Sequence, residues 1–390
     1  MLIPVRLPPR LRTVDTQAAT VWQWFNYAET LAASRGKTLL RINIDETSVC
    51  LHPGVGKGAV FVTRKWLRAG GGQHVPKWKQ RRYMSHVGVI CDRPDVQAVL
   101  PQFVIGNQRT LLKRDIAALR RGRPMNVRLI RQKSAWSNSK LTASLVRQIA
   151  AALAGHGVLA EGVQVVLILD AVRIHYTPEV LRACKAAHFW LIVVPAKMTL
   201  LLQPLDTHVF ALYKACLQSA YQSARARCTS PKGDVSISEF LPCVDDAIRS
   251  VLEGRPWGSA FNSDGFGHSQ LLLGDRVKKC LQLDAAAVAP STCPTEAQLR
   301  CCFPRRARPA FDFLLSMFEE AATPPPLPPV VARPDDDALV SLHGVAPTRI
   351  LATRSRHRLE RADAAVARLS PGMPEAPPLL RRYRHPPDLD

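Results

Sequence analysis

Two segments, VQVVLILD at 163–170 and FWLIVVPA at 189–196, are apolar at consecutive positions rather than at every second one. A strand with one face in water alternates. A run that does not alternate is buried on both faces, which is how parallel strands covered by helices read. Between the two runs, TPEVLRACKAAH (177–188) offers Thr177 as a cap, Pro178 at the first helical position and Glu179 behind it, a helix start. Strand, helix and strand in that order predict an α/β sheet with helices on both faces.

The rest of the chain extends this sheet. Leu39–Leu51 and Ala59–Trp66 are β-rich runs around a turn at Pro53–Gly58, and RRYMSHVGVIC (81–91), AVLPQFVIG (98–106) and NVRLI (126–130) follow as further strands. The GVGKG of the turn lacks the Gly-Lys-Ser/Thr ending of a phosphate loop. Residues 16–35 form a predicted helix capped by Thr16, with Val21, Trp24, Phe25 and Leu31 on one side. Residues 137–157 form another, ending at a Gly. A long helix over 203–227 places Val209, Leu212, Tyr213, Cys216 and Ala220 at core spacing. The expected organisation is a leader and helix over 1–35, the α/β domain over 36–230, a helical extension of it over 231–285, and a low-complexity tail over 286–390. That tail is Pro-rich and disordered from about 323.

Charge narrows the function. The chain carries 53 Lys and Arg against 31 Asp and Glu, a net +22. From Ala321 onward ten Arg face eight acids, so the excess lies almost wholly in the folded part. Such an excess suits a polyanionic partner, nucleic acid first. No apolar run approaches the ~18 residues of a membrane span. The ten cysteines form no C-x-x-C pair, and the nearest cluster (Cys293, Cys301, Cys302) has no His at zinc spacing. Reduced thiols are the expected state.

The first buried run ends in Asp170, an expensive place for an isolated carboxylate. Asp45 lies in the first β-run on the strand face opposite Ile44, and Asp206 stands where the long helix begins. Parallel strands end on one edge, where catalytic groups gather. If the first strand neighbours the Asp170 strand, the three acids converge. They would then raise each other's pKa unless a cation sat among them. Hard oxygen ligands suit Mg²⁺ or Mn²⁺. Singly, each acid has a plainer reading: Asp45 in a turn network, Asp170 paired with Arg173 or His175, Asp206 as a helix cap.

Around these acids the sequence reads NIDETSV, LILDAVRIH and TLLLQPLDTHVF, with 35 residues between Asp170 and Asp206. In these motifs the chain resembles the DDE superfamily of transposases, in its pogo-like branch, over about residues 20–285, including WGSAFNSDGFG at 257–267. The resemblance implies a ribonuclease H-like mixed sheet flanked by helices. It implies a nuclear DNA endonuclease and strand transferase that cuts and joins phosphodiesters, with Asp45, Asp170 and Asp206 binding Mg²⁺ or Mn²⁺ and His175 orienting a phosphate or a neighbouring acid. Ala171 stands where the family usually has Asn, and Arg173 where it usually has Pro. The alternative is a catalytically inactive, transposase-derived DNA-binding protein. About forty residues precede the first motif, too few for the paired helix-turn-helix domains that members often carry.

DNA contact is expected from RKWLRAGGGQHVPKWKQRR (64–82), which has seven Lys or Arg and no acid. Lys57, Arg64, Lys65, Lys77, Lys79, Arg81 and Arg82 would meet phosphates, and Trp66 and Trp78 would stack on bases. Its plainer reading is a solvated hairpin. Residues 113–133 are a second basic stretch, read as further DNA surface or a nuclear localisation signal. A homodimer, and an SH3- or WW-type partner for the Pro-rich tail, are further expectations.

Overall fold

The computed structural model describes residues 12–50, 83–109, 111–120, 126–159, 162–227, 235–253, 255–267, 274–275, 277–278, 290–305, 308–319 and 339–340. All fall within one compact unit, Met1–His343. The predicted strand at Ala59–Trp66 and the basic segment 64–82 lie outside the described residues.

The elements run in the order α1 (Arg12–Ser34), β1 (Thr38–Cys50), β2 (Tyr83–Cys91), α2 (Pro94–Gln97), β3 (Gln102–Asn107), α3 (Lys113–Arg120), β4 (Val127–Gln132), α4 (Ser139–Gly155) and β5 (Val163–Asp170). They continue with α5 (Pro178–Ala186), β6 (Trp190–Val194), α6 (Thr199–Leu202), α7 (Phe210–Arg227), α8 (Ile237–Ile248), α9 (Gly258–Ser263), α10 (Glu296–Arg300), α11 (Phe311–Leu315) and β7 (Leu339–Val340). The strands form one sheet in the order β6-β5-β1-β2-β3-β4-β7. β1, β2 and β3 pair antiparallel in succession, β5 joins β1 and β6 joins β5 in parallel, and β4 joins β3 in parallel. Strands β1, β3, β4, β5 and β6 therefore all point the same way and end on one edge. This is a ribonuclease H-like mixed sheet, and β5 and β6 are the two continuous apolar runs, with Val165–Leu169 and Trp190–Val194 buried.

The two sheet faces are covered differently. On one, Ile44, Val87 and Leu169 meet Leu145 and Val146 of α4, and α4 packs on α5. On the other, Gly88 lies opposite Asp45 in the β1–β2 register. A side chain added at Gly88 would stand 3.1 Å from Leu205 and Phe210 and 3.3 Å from Leu252. Glycine here lets the segment carrying Asp206 settle directly on the sheet. Gly88→Val is expected to cost about 1–3 kcal/mol, the range for overpacking a filled core, and to displace that segment. Urea unfolding checks the first part. An unchanged midpoint would show that the segment yields without cost.

Three sequence expectations are corrected. Helix α1 begins at Arg12, so Thr16 is inside it, and its carbonyl accepts the Thr20 hydroxyl at 2.9 Å. In the long helix a π turn at Leu205–Val209 inserts an extra residue. The buried face of α7 is then Phe210, Tyr213, Leu217, Tyr221 and Ala224, while Leu212 is exposed and Cys216 only partly covered. Finally, the stretch assigned to the tail from 286 contains packed structure. Leu299, Phe303, Phe311, Leu314 and Phe318 are buried, Phe303 meets Tyr176 edge-on, and Phe318 lies against Trp190. Aromatics spaced among prolines supply a core contribution that composition averaging hides.

Among the described residues no helix is long and apolar enough to cross a membrane, and the described cysteines are free thiols.

Candidate active site

Asp45 is central in β1, where the backbone is straight and side chains alternate faces. The β1–β5 register pairs Asn43 with Ile168. Two residues further along both strands, Asp45 comes level with Asp170, the last residue of β5. Asp206 sits in the π turn that follows the short helix α6. Its backbone N–H donates to the Gln203 carbonyl at 2.9 Å. Three segments far apart in sequence thus deliver one carboxylate each to the same edge of the sheet.

The electrostatics tie the three together. Burial, at 8% exposure, holds the Asp45 carboxyl well above the usual carboxylate range, and the charges of Asp206 and Asp170 push it further. Burial also raises Asp206. Lys214 opposes that rise, Asp170 adds to it, and Asp206 accepts hydrogen bonds from Thr199 and Asp45. Asp45 and Asp206 therefore both resist ionisation, Asp45 the more strongly. Carboxylates raised by burial and mutual repulsion stand where a cation would be welcome, since it neutralises that repulsion. The donor set is entirely hard oxygen, which fits Mg²⁺ or Mn²⁺. Among the described residues no three acid, histidine or cysteine side chains form a ready-made cage, so the fit lies in the chemistry and charge of the donors.

His175 is also brought to the site. It lies in a 3₁₀ turn just after β5, with Nδ1 2.5 Å from Asp170 Oδ1 and 3.3 Å from the Asp170 carbonyl. Its nearest acid is thus Asp170. Ala171 is buried and donates its N–H to the Val194 carbonyl at 2.9 Å, holding the end of β5 to β6. The nine expected DNA-contacting residues, Lys57, Arg64, Lys65, Trp66, Lys77, Trp78, Lys79, Arg81 and Arg82, lie outside the described residues.

Three polar residues escaped the sequence reading. Glu46 points to the α4 face, where its carboxylate accepts the Ser137 N–H at 3.2 Å, and burial raises its pKa. Strand alternation from Asp45 was its signal. Asn43, fully buried, donates from Nδ2 to the Ile168 carbonyl at 2.9 Å and accepts the Leu205 N–H on Oδ1 at 2.8 Å. An amide between Ile42 and Ile44, two residues before an acid, was the available hint. Asp264 accepts the Thr207 hydroxyl at 2.5 Å and lies 3.2 Å from His208 Nε2. Nothing local in the sequence tied it to Asp206.

Residues 87–255 match the family model described as DDE superfamily endonuclease. That span contains Asp170 and Asp206, and Asp45 lies ahead of it. A solved structure, Mos1 transposase in a paired-end complex with the left transposon end, aligns at 12% identity over 68% of this chain with a TM-score of 0.31. The alignment covers 65% of that transposase chain, less than two thirds of its length. No curated protein matches the sequence. The span that carries Asp170 and Asp206 is thus similar to the DDE superfamily endonucleases.

Proposed function

We propose that this chain is a divalent-metal-dependent DNA endonuclease and strand-transfer domain of the transposase type. The observation that carries the reading is the meeting of Asp45, Asp170 and Asp206 at one sheet edge, with Asp45 and Asp206 held above the normal carboxylate range. Asp45, Asp170 and Asp206 would hold the metal, which supplies Lewis-acid activation of a water or 3′-hydroxyl and charge neutralisation at the phosphate. The chain's own part is placement. His175 fixes the orientation of the Asp170 carboxylate. Asp45, raised by burial and by its acidic neighbours, would ionise once a cation offset that repulsion.

DNA needs cations around this edge. Among the described residues, Lys133 and Lys140 follow β4, Arg173 follows β5, Lys197 follows β6, and Lys214 lies near Asp206. All five are exposed. They suit phosphate contacts, which position a duplex without reading its sequence. Trp136, about half exposed at 48%, lies on the same edge and offers a face for a base. Nuclear location and the pogo-like relationship belong to this proposal.

The test is nicking of supercoiled plasmid by the purified chain with Mg²⁺ or Mn²⁺, beside Asp170→Ala. Nicking that requires both the metal and Asp170 is the expected result. Retained DNA binding without nicking, unaltered by metal, would make the chain a DNA-binding relic instead.

A further inference from the structure

Asp206 is the only one of the three acids that is not on a strand. It stands in a π turn, a local insertion whose backbone bonds are less regular than those of an α-helix. Left alone, such a turn has freedom that a metal ligand cannot tolerate. The residue before Asp206 and the two after it are all held by buried side chains from elsewhere in the fold. On the upstream side, Asn43 accepts the Leu205 N–H at 2.8 Å while donating to the Ile168 carbonyl at 2.9 Å. One amide thereby joins the Asp45 strand, the Asp170 strand and the Asp206 turn. On the downstream side, Asp264, at 2% exposure, accepts Thr207 Oγ1 at 2.5 Å and contacts His208 Nε2 at 3.2 Å.

The segment that carries Asp264 is itself constrained. Asp264 ends helix α9, its N–H donating to the Ala260 carbonyl at 3.1 Å. Gly265 follows at φ +92, a left-handed conformation, and the Trp22 indole nitrogen sits 2.0 Å from where a side chain on Gly265 would begin. Only glycine fits there. The chain reverses at that point against α1, with the Asp264 carboxylate on the π turn.

We infer that Asn43 and Asp264 are positioning residues that clamp Asp206 from both sides, setting its carboxylate in register with Asp45 and Asp170 for a shared divalent cation. The inference rests on the metal-dependent reading proposed above. Neither residue would touch the ion or the substrate. Each acts through the backbone or hydroxyl next to Asp206, the role that outer groups play in orienting metal ligands. The clamp also gives the WGSAFNSDGFG segment a function: it closes the acid site from outside the sheet.

The experiment uses the full chain and Mn²⁺ alone, without DNA. Binding is followed by electron paramagnetic resonance for the wild type and for Asn43→Ala, Asp264→Ala and Asp264→Asn. Asp206→Asn is the reference for the site, and Leu153→Ala, in the buried face of α4 on the other side of the sheet, is a core control for general destabilisation. Melting temperatures are measured on every sample. Asn43→Ala and Asp264→Ala are expected to weaken Mn²⁺ binding by roughly 10–100-fold. Asp264→Asn keeps an oxygen acceptor for Thr207 and is expected to restore most of the affinity. Leu153→Ala is expected to melt earlier yet bind Mn²⁺ like the wild type. Clamp variants that bind Mn²⁺ as tightly as the wild type, or that lose no more affinity than Leu153→Ala, would overturn the clamp and leave the metal site standing. A wild-type chain that leaves the free Mn²⁺ signal undiminished, or whose Mn²⁺ binding is unchanged by Asp206→Asn, would overturn the metal-dependent reading and the clamp together.

Discussion

Replacing Asp45 with Asn is expected to raise the melting temperature in EDTA at pH 7.5 while abolishing metal-dependent nicking. The stabilising part follows from the cost of charge at this position. Burial is the largest reason the Asp45 carboxyl resists ionisation, and the charges of Asp206 and Asp170 add to it. Its folded pKa is raised, so the stability it contributes is fully present below the unfolded pKa of about 3.9 and is lost as pH rises through the folded value. At pH 7.5 the wild type bears that loss. Asn has the same shape, carries no charge, and can still donate to the Asp206 carboxylate. The gain should fall within about 0.5–2 kcal/mol, the usual span of a stabilising substitution. At pH 3 the advantage should shrink toward zero, because the wild-type acid is then mostly protonated in both states. Added Mg²⁺ should raise the melting temperature of the wild type and not that of the variant. Scanning fluorimetry at the two pH values, with and without metal, checks all three. An Asn variant that melts lower at pH 7.5 in EDTA would mean that the three acids do not repel one another.

The parts of this architecture that sequence reading reached are those written locally. Consecutive apolar residues at Val165–Leu169 and Trp190–Val194 can only be buried on both faces, and alternation in the first strand separates Ile44 from Asp45. What carries the site is less local. The level placement of Asp45 and Asp170 depends on β1 pairing with β5 across more than a hundred residues, and no pattern in either strand states the register. The buried face of α7 runs through Phe210, Tyr213, Leu217 and Tyr221, so Leu212, at the expected core spacing, faces solvent. Asn43 and Asp264 look ordinary in sequence, because their meaning lies in partners 162 and 57 residues away. Phe303, Phe311 and Phe318 are buried within a stretch whose composition suggests a linker. In each case the missing information is a tertiary contact that overrides the local signal.

Acid is expected to weaken the fold through one residue beneath the Asp206 helix. His86 of β2 is fully buried and lies against Tyr213 of α7, ring centroids 4.8 Å apart. Burial lowers its imidazole pKa to about 3, with Gln102 opposing the shift. The neutral ring is therefore native, and its contribution is complete above the unfolded pKa of about 6.5 and lost as pH falls toward about 3. The full span corresponds to about 4–5 kcal/mol, and roughly 2 kcal/mol is gone by pH 5. Because Gly88, two residues on, lies under Phe210 of the same helix, charging His86 loosens the support of the turn that carries Asp206. His86→Phe keeps an aromatic ring against Tyr213 and removes the proton site. Urea midpoints for the wild type and this variant should diverge steadily between pH 7.5 and pH 5, with the variant the less acid-sensitive. Asp45 works in the opposite sense, gaining stability as it protonates, so the difference between the two proteins is the quantity to follow. Parallel curves would show that His86 takes up its proton in the folded chain as easily as in the unfolded one, and that helix α7 does not depend on its neutrality.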